Sequence, residues 1–81
     1  MLKIFKSITV NIPVCSAEEA DEAARFLESF RPKEPVEIKR TMFHCLTVTA
    51  HYSPVNAMIF KHYVKQRSFI IDGFAVLIEE D

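Results

Sequence analysis

The side chains best suited to chemistry in this chain are two cysteines, Cys15 and Cys45, three histidines, His44, His51 and His62, and eleven carboxylates. Cys15 stands just before Ser16-Ala17-Glu18-Glu19, a capping box that opens a helix. The positive end of the helix macrodipole there favours a thiolate, so a Cys15-centred redox or enzymatic role is one reading. No histidine lies near it in sequence to serve as a base. The two cysteines match no zinc or redox spacing and read as reduced thiols in a cytosolic protein, with a Cys15–Cys45 bridge as the alternative. His44 and His51 fall on opposite faces of a strand and His62 on a helix exterior, which assembles no ligand set and predicts no metal. The acids gather at Glu18, Asp21, Glu22 and Glu28 and in Glu79-Glu80-Asp81, a solvated pattern rather than a pair held in a cleft. The only glycine, Gly73, excludes glycine-rich phosphate loops. No catalytic residue and no cofactor is expected.

Size and charge narrow the choice further. At 81 residues the chain forms one domain, residues 1–81, burying roughly 60–65% of its unfolded surface. Hydrophobic residues make up 49% of it and seven are Phe, enough to fold without disulfides or a structural metal. A net charge of -1 argues against holding nucleic acid mainly by neutralising phosphates. Lys3 and Lys6 before an apolar stretch ending at Cys15 resemble a lipoprotein signal, but Thr9 and Asn11 interrupt it, and Pro13 and Val14 replace the small residues such a signal needs. No run approaches the length of a membrane span.

Hydrophobic periodicity supplies the elements that position these groups. Leu2 to Ile12 alternates with period two, a half-buried strand that Pro13 is expected to end. In the first helix Ala20, Ala23, Ala24, Leu27 and Phe30 share one arc, with Phe26 at its edge and the acids opposite; Arg31-Pro32 closes it. Val36 to Arg40 alternates again. Phe43 to Tyr52 makes a third strand, with Leu46, Val48 and Ala50 on one face and Phe43, Cys45, Thr47, Thr49 and His51 on the other. Ser53-Pro54 starts a second helix, expected to bury Ala57, Ile59, Phe60, Tyr63 and Val64 and to expose Val55, Met58, Lys61, His62 and Lys65. In the last segment Asp72-Gly73 marks a hairpin, giving a short ribbon at 69–71 and a final strand at 74–78 in preference to one bulged strand.

The order β-α-β-β-α-β resembles the ferredoxin-like α+β sandwich, a four-stranded antiparallel sheet with two helices on one face. That resemblance implies central first and third strands. Acylphosphatases of this fold carry an Arg in the loop after the first strand, and its heavy-metal-binding domains carry two cysteines there; this chain has Pro13-Val14-Cys15. Asn11-Ile12-Pro13 followed by Ser16, with Phe43 and Cys45 on the third strand, resembles the RNA-recognition motif. The resemblance implies base stacking on Phe5 and Phe43, helped by Lys3, Lys6, Lys39 and Arg40. Met42 and His44 stand in place of that motif's glycines, and Cys45 in place of an aromatic.

Helices on one face leave the other sheet face open, built from Phe5, Ser7, Thr9, Phe43, Cys45, Thr47 and Thr49, with Ala75 and Leu77. Such a face is either solvated, docked to a partner or second copy, or used for stacking. The helix layer adds an acidic first helix beside a basic second one, a dipolar surface able to steer a charged partner. The leading expectation is a non-catalytic cytoplasmic interaction module, binding a protein or itself through the open sheet face, an edge strand or the charged helix face. Its candidate residues are Phe5, Thr9, Phe43, Cys45, Thr47 and Leu77 on the sheet, and Val55, Met58, Lys61, His62 and Lys65 on the helix. Single-stranded nucleic acid is the second expectation and Cys15 chemistry the third. A small viral accessory protein fits the same features, though no residue requires that origin.

Overall fold

A computed structural model describes residues 6–41, 45–66, 70–71 and 74–81. In chain order the elements are β1 (Ile8–Val14), α1 (Ala17–Glu28), β2 (Glu37–Arg40), β3 (Leu46–Tyr52), α2 (Pro54–Gln66), β4 (Ile70–Ile71), β5 (Phe74–Ala75) and β6 (Leu77–Glu80). The protein is α+β, with a four-stranded antiparallel sheet in the order β2-β3-β1-β6 and a separate two-stranded ribbon of β4 and β5.

Alternation along β1 sends Ile8, Val10, Ile12 and Val14 into the core. Pro13 does not end this strand, contrary to the expectation from sequence. It stays in register opposite Thr47, while the pairing of β1 with β6 stops at Asn11. Beyond Asn11 no described strand is hydrogen-bonded to that side of β1, and there a residue without an N–H is tolerated. The first part of the expected strand, residues 1–5, lies outside the described residues, and regular pairing starts at Ile8.

Both helices are held by local polar contacts. At the start of α1 the Glu19 N–H donates to Ser16 Oγ at 3.2 Å, and Glu19 Oε1 accepts the Cys15 N–H at 2.9 Å. The helix ends at Glu28, before Arg31-Pro32, and Arg31 adopts a left-handed φ of 57°. That conformation costs a non-glycine residue about 1–2 kcal/mol. Asn56 Nδ2 on α2 secures the Arg31 carbonyl at 3.1 Å, and the Lys33 N–H donates to the His51 carbonyl at 2.7 Å, so the turn is tied both to α2 and to the end of β3. Pro54 opens α2, and the Ser53 carbonyl takes the Ala57 N–H at 2.7 Å.

One core joins the two layers. The inward residues of β1 and β3 meet Ala20, Ala23 and Leu27 of α1 and Ala57, Phe60 and Val64 of α2. Each large side chain buried there stabilises the fold by about 1.5–3 kcal/mol. Between the helices, Phe26, Phe30, Phe60 and Tyr63 form an aromatic cluster with centroid separations of 5.1–5.9 Å. Tyr52 stacks on Phe60, and its buried hydroxyl donates to the Leu27 carbonyl near the end of α1. Burial pushes the Tyr52 phenol well above its ordinary range.

The final segment splits at Val76. Ile70 and Ile71 pair with Ala75 and Phe74, the register of a two-residue loop, although Asp72-Gly73 itself lies outside the described residues. The strand that joins the sheet is Leu77–Glu80, starting and ending later than the expected 74–78.

Candidate functional site

Cross-strand register arranges the open sheet face in rows. Glu37, Thr49, Asn11 and Leu77 form one, Lys39, Thr47 and Pro13 a second, and His51, Thr9 and Glu79 a third. Much of this face satisfies itself. Thr49 Oγ1 donates to Asn11 Oδ1 at 2.6 Å. Thr9 Oγ1 donates to Asp81 Oδ1 at 3.0 Å, leaving its oxygen to accept from His51 at 3.0 Å, which assigns the ring proton to Nδ1. Glu37 and Lys39 pair at 3.2 Å.

Of the sheet-face candidates, Thr9 and Thr47 are half-buried in these rows, and Leu77 is 55% exposed. Cys45 is half-buried, and its carbonyl accepts both the Thr41 N–H at 2.7 Å and Thr41 Oγ1 at 3.0 Å. Phe5 and Phe43 lie outside the described residues, and with them both aromatics of the base-stacking expectation.

The outer side of α2 has the opposite character. Val55 is 64% exposed, Met58 43% and Ile59 50%. Ile59 corrects the sequence-based expectation of burial. It precedes Phe60 by one residue, about 100° around the helix, and with Ala57, Phe60 and Val64 facing the core it is carried outward. The exposed residues Val55, Met58, Ile59 and His62 thus recur at i, i+3, i+4 and i+7, one continuous stripe. Lys61 and Lys65 flank it, and α2 contains no acidic residue. Lys61 Nζ reaches Glu80 Oε1 at 2.6 Å, and this hydrogen bond and charge hold the Glu80 carboxyl below its ordinary range. Acids on the outer side of α1, Glu18, Asp21, Glu22 and Glu28, are all exposed.

Comparison with family models, curated proteins and solved structures finds no match to this chain. Its surface chemistry therefore carries the functional argument. Cys15 is exposed and free, rather than filling space in the core, and Cys45 is also free. Among the described residues no group of three His, Cys, Asp or Glu side chains is placed to hold a metal, and no helix is long and apolar enough to cross a membrane.

Two features escaped the sequence reading. Ile59 was hidden because the apolar positions of α2 run most of the way round the helix, so periodicity alone did not separate core from surface. The Thr9–His51–Asp81 chain was hidden because it joins β1, β3 and the residue that follows β6; alternation placed Thr9 and His51 on one face, but only register brings them opposite each other.

Proposed function

We propose that this protein is a small non-catalytic interaction module on a ferredoxin-like α+β sandwich, and that it docks a protein partner through the outer face of α2. The fold reading is supported by the central position of β1 and β3 and by the single core shared with both helices. The β4–β5 ribbon is an addition to that plan.

The observation that carries the docking reading is the cluster of Val55, Met58 and Ile59 on one helix face. They supply three of the five large hydrophobics that stand exposed among the described residues. Large apolar side chains at helical spacing are the anchors of helix-mediated recognition, and a few such anchors dominate an interface. The basic, acid-free character of α2 supports a partner that offers an apolar patch flanked by carboxylates, which suits Lys65 at the rim. The open sheet face is the weaker candidate because Thr9, His51, Asn11, Thr49, Glu37 and Lys39 on it already bond within the molecule.

The test is a matched capture from the native host. Met58→Glu/Ile59→Glu is expected to lose a protein that both the wild type and a sheet-face control, Leu77→Glu, retain. Retention of every captured protein by the α2 variant, with its fold intact by circular dichroism, sinks the reading.

A further inference from the structure

We propose that the β2 edge is a second interaction surface, and that its occupant is a second copy of this chain, paired antiparallel about a two-fold axis at Ile38. The proposal is independent of the α2 docking surface. β2 lies at the sheet margin with Glu37, Ile38, Lys39 and Arg40 all exposed, and among the described residues β3 on its inner side is its one strand partner.

Backbone parity fixes what the edge presents. The Thr41 N–H, just past β2, donates to the Cys45 carbonyl, just before β3, at 2.7 Å, which continues the β2–β3 register, and N–H groups alternate sides along a strand. The N–H groups of Glu37 and Lys39 therefore turn toward β3, while those of Ile38 and Arg40 turn outward. In a two-fold pair at Ile38, the Ile38 backbones of the two copies exchange hydrogen bonds, and Arg40 of each meets Val36 of the other. Glu37 then sits opposite Lys39 of the second copy, twice by symmetry. These are non-hydrogen-bonded positions, where opposed side chains come closest.

Charge selects this register over its neighbours. Centring the axis on Lys39 opposes two lysines, and centring it on Glu37 opposes two glutamates, both unfavourable. Glu37 and Lys39 already share the open face, 3.2 Å apart within one chain, so the pairing extends an existing contact into a four-charge row. Charged edge strands normally repel indiscriminate pairing, and this pattern rejects the shifted registers while accepting one. On the core-facing side Ile38 remains 46% exposed, and the second copy's Ile38 covers it. Edge-to-edge joining makes one continuous sheet of the two, an isologous contact that closes at the dimer.

The experiment is sedimentation equilibrium on the full chain, with amide hydrogen exchange read by NMR at low and high concentration. A dimer is expected, with the Ile38 and Arg40 amides gaining protection as it forms and those of Glu37 and Lys39 protected throughout. Glu37→Lys and Lys39→Glu should each weaken dimerisation at least about tenfold, and the double reversal Glu37→Lys/Lys39→Glu should restore it. Met58→Glu/Ile59→Glu should leave it unchanged, separating this surface from the α2 face. A wild-type chain monomeric at millimolar concentration overturns the proposal. So does a dimer whose Ile38 amide gains no protection, or one that the double reversal fails to restore. The exchange measurement needs only the wild type, so it decides the matter even where a variant folds poorly.

Discussion

On the open sheet face, Thr9, His51 and Asp81 form one hydrogen-bonded chain and Asn11 and Thr49 another, so polar groups facing solvent find partners within the molecule. On the outer face of α2, Val55, Met58 and Ile59 place three apolar side chains on one exposed stripe. Both regions lie on well-formed elements anchored in the same core. A sheet face left uncovered by helices is thus not by that fact left with its polar groups unsatisfied. Cross-strand register lets a polar face close on itself, whereas apolar groups on one helix are satisfied only by something laid over them.

The largest effect should come from removing that unsatisfied apolar surface. Met58→Glu/Ile59→Glu is expected to weaken partner binding by about 100-fold or more, measured by calorimetric titration of the captured partner, with little change in thermal midpoint. A change on neither face provides the structural reference. Tyr52→Phe removes the donor to the Leu27 carbonyl and should cost about 1–1.5 kcal/mol, or about 4–12 °C in thermal midpoint. Its pH dependence follows from the raised phenol. The stabilisation is complete below the ordinary tyrosine value of 10.0 and is lost as pH climbs past it toward the higher folded value. Wild type should therefore lose stability in alkali by a step that Tyr52→Phe lacks, as followed by alkaline denaturation.

Next in size, Thr49→Val breaks the bond to Asn11 and should cost about 0.5–1.5 kcal/mol in denaturant titration while leaving partner binding intact. That pairing of outcomes, stability lost and recognition kept, is the reverse of the α2 variant. The smallest effect concerns the rim of the helix face. Lys61→Met should return the Glu80 carboxyl toward its ordinary range in an NMR titration. A depressed carboxylate stabilises above its ordinary pKa, and the contribution fades as pH falls through the lowered value, so the loss is confined to acid.

Much of the architecture was legible in the residues. Alternation in Ile8–Ile12 and Leu46–Tyr52 identified the two central strands and their buried faces, and Ser16 with Glu19 marked the start of α1. Pro13 misled because its effect depends on whether a neighbour pairs on that side, which β6 decides some 65 residues later in the chain. Ile59 misled because its helix carries more apolar residues than one core face can bury. Candidate surfaces were harder to rank than elements, since the closed polarity of the sheet face rests on contacts between residues separated by 38, 42 and 72 positions.

On the proposed reading, recognition belongs to α2 and not to the open sheet. A photo-crosslinking residue, benzoylphenylalanine, placed at Val55 in one version of the protein and at Thr47 in another tests it most directly in native lysate. Both positions face away from the core, so both versions should fold. A crosslinked protein partner is expected from position 55, competed by excess wild-type chain, and none from position 47. Crosslinks from position 47 with none from position 55 would contradict it.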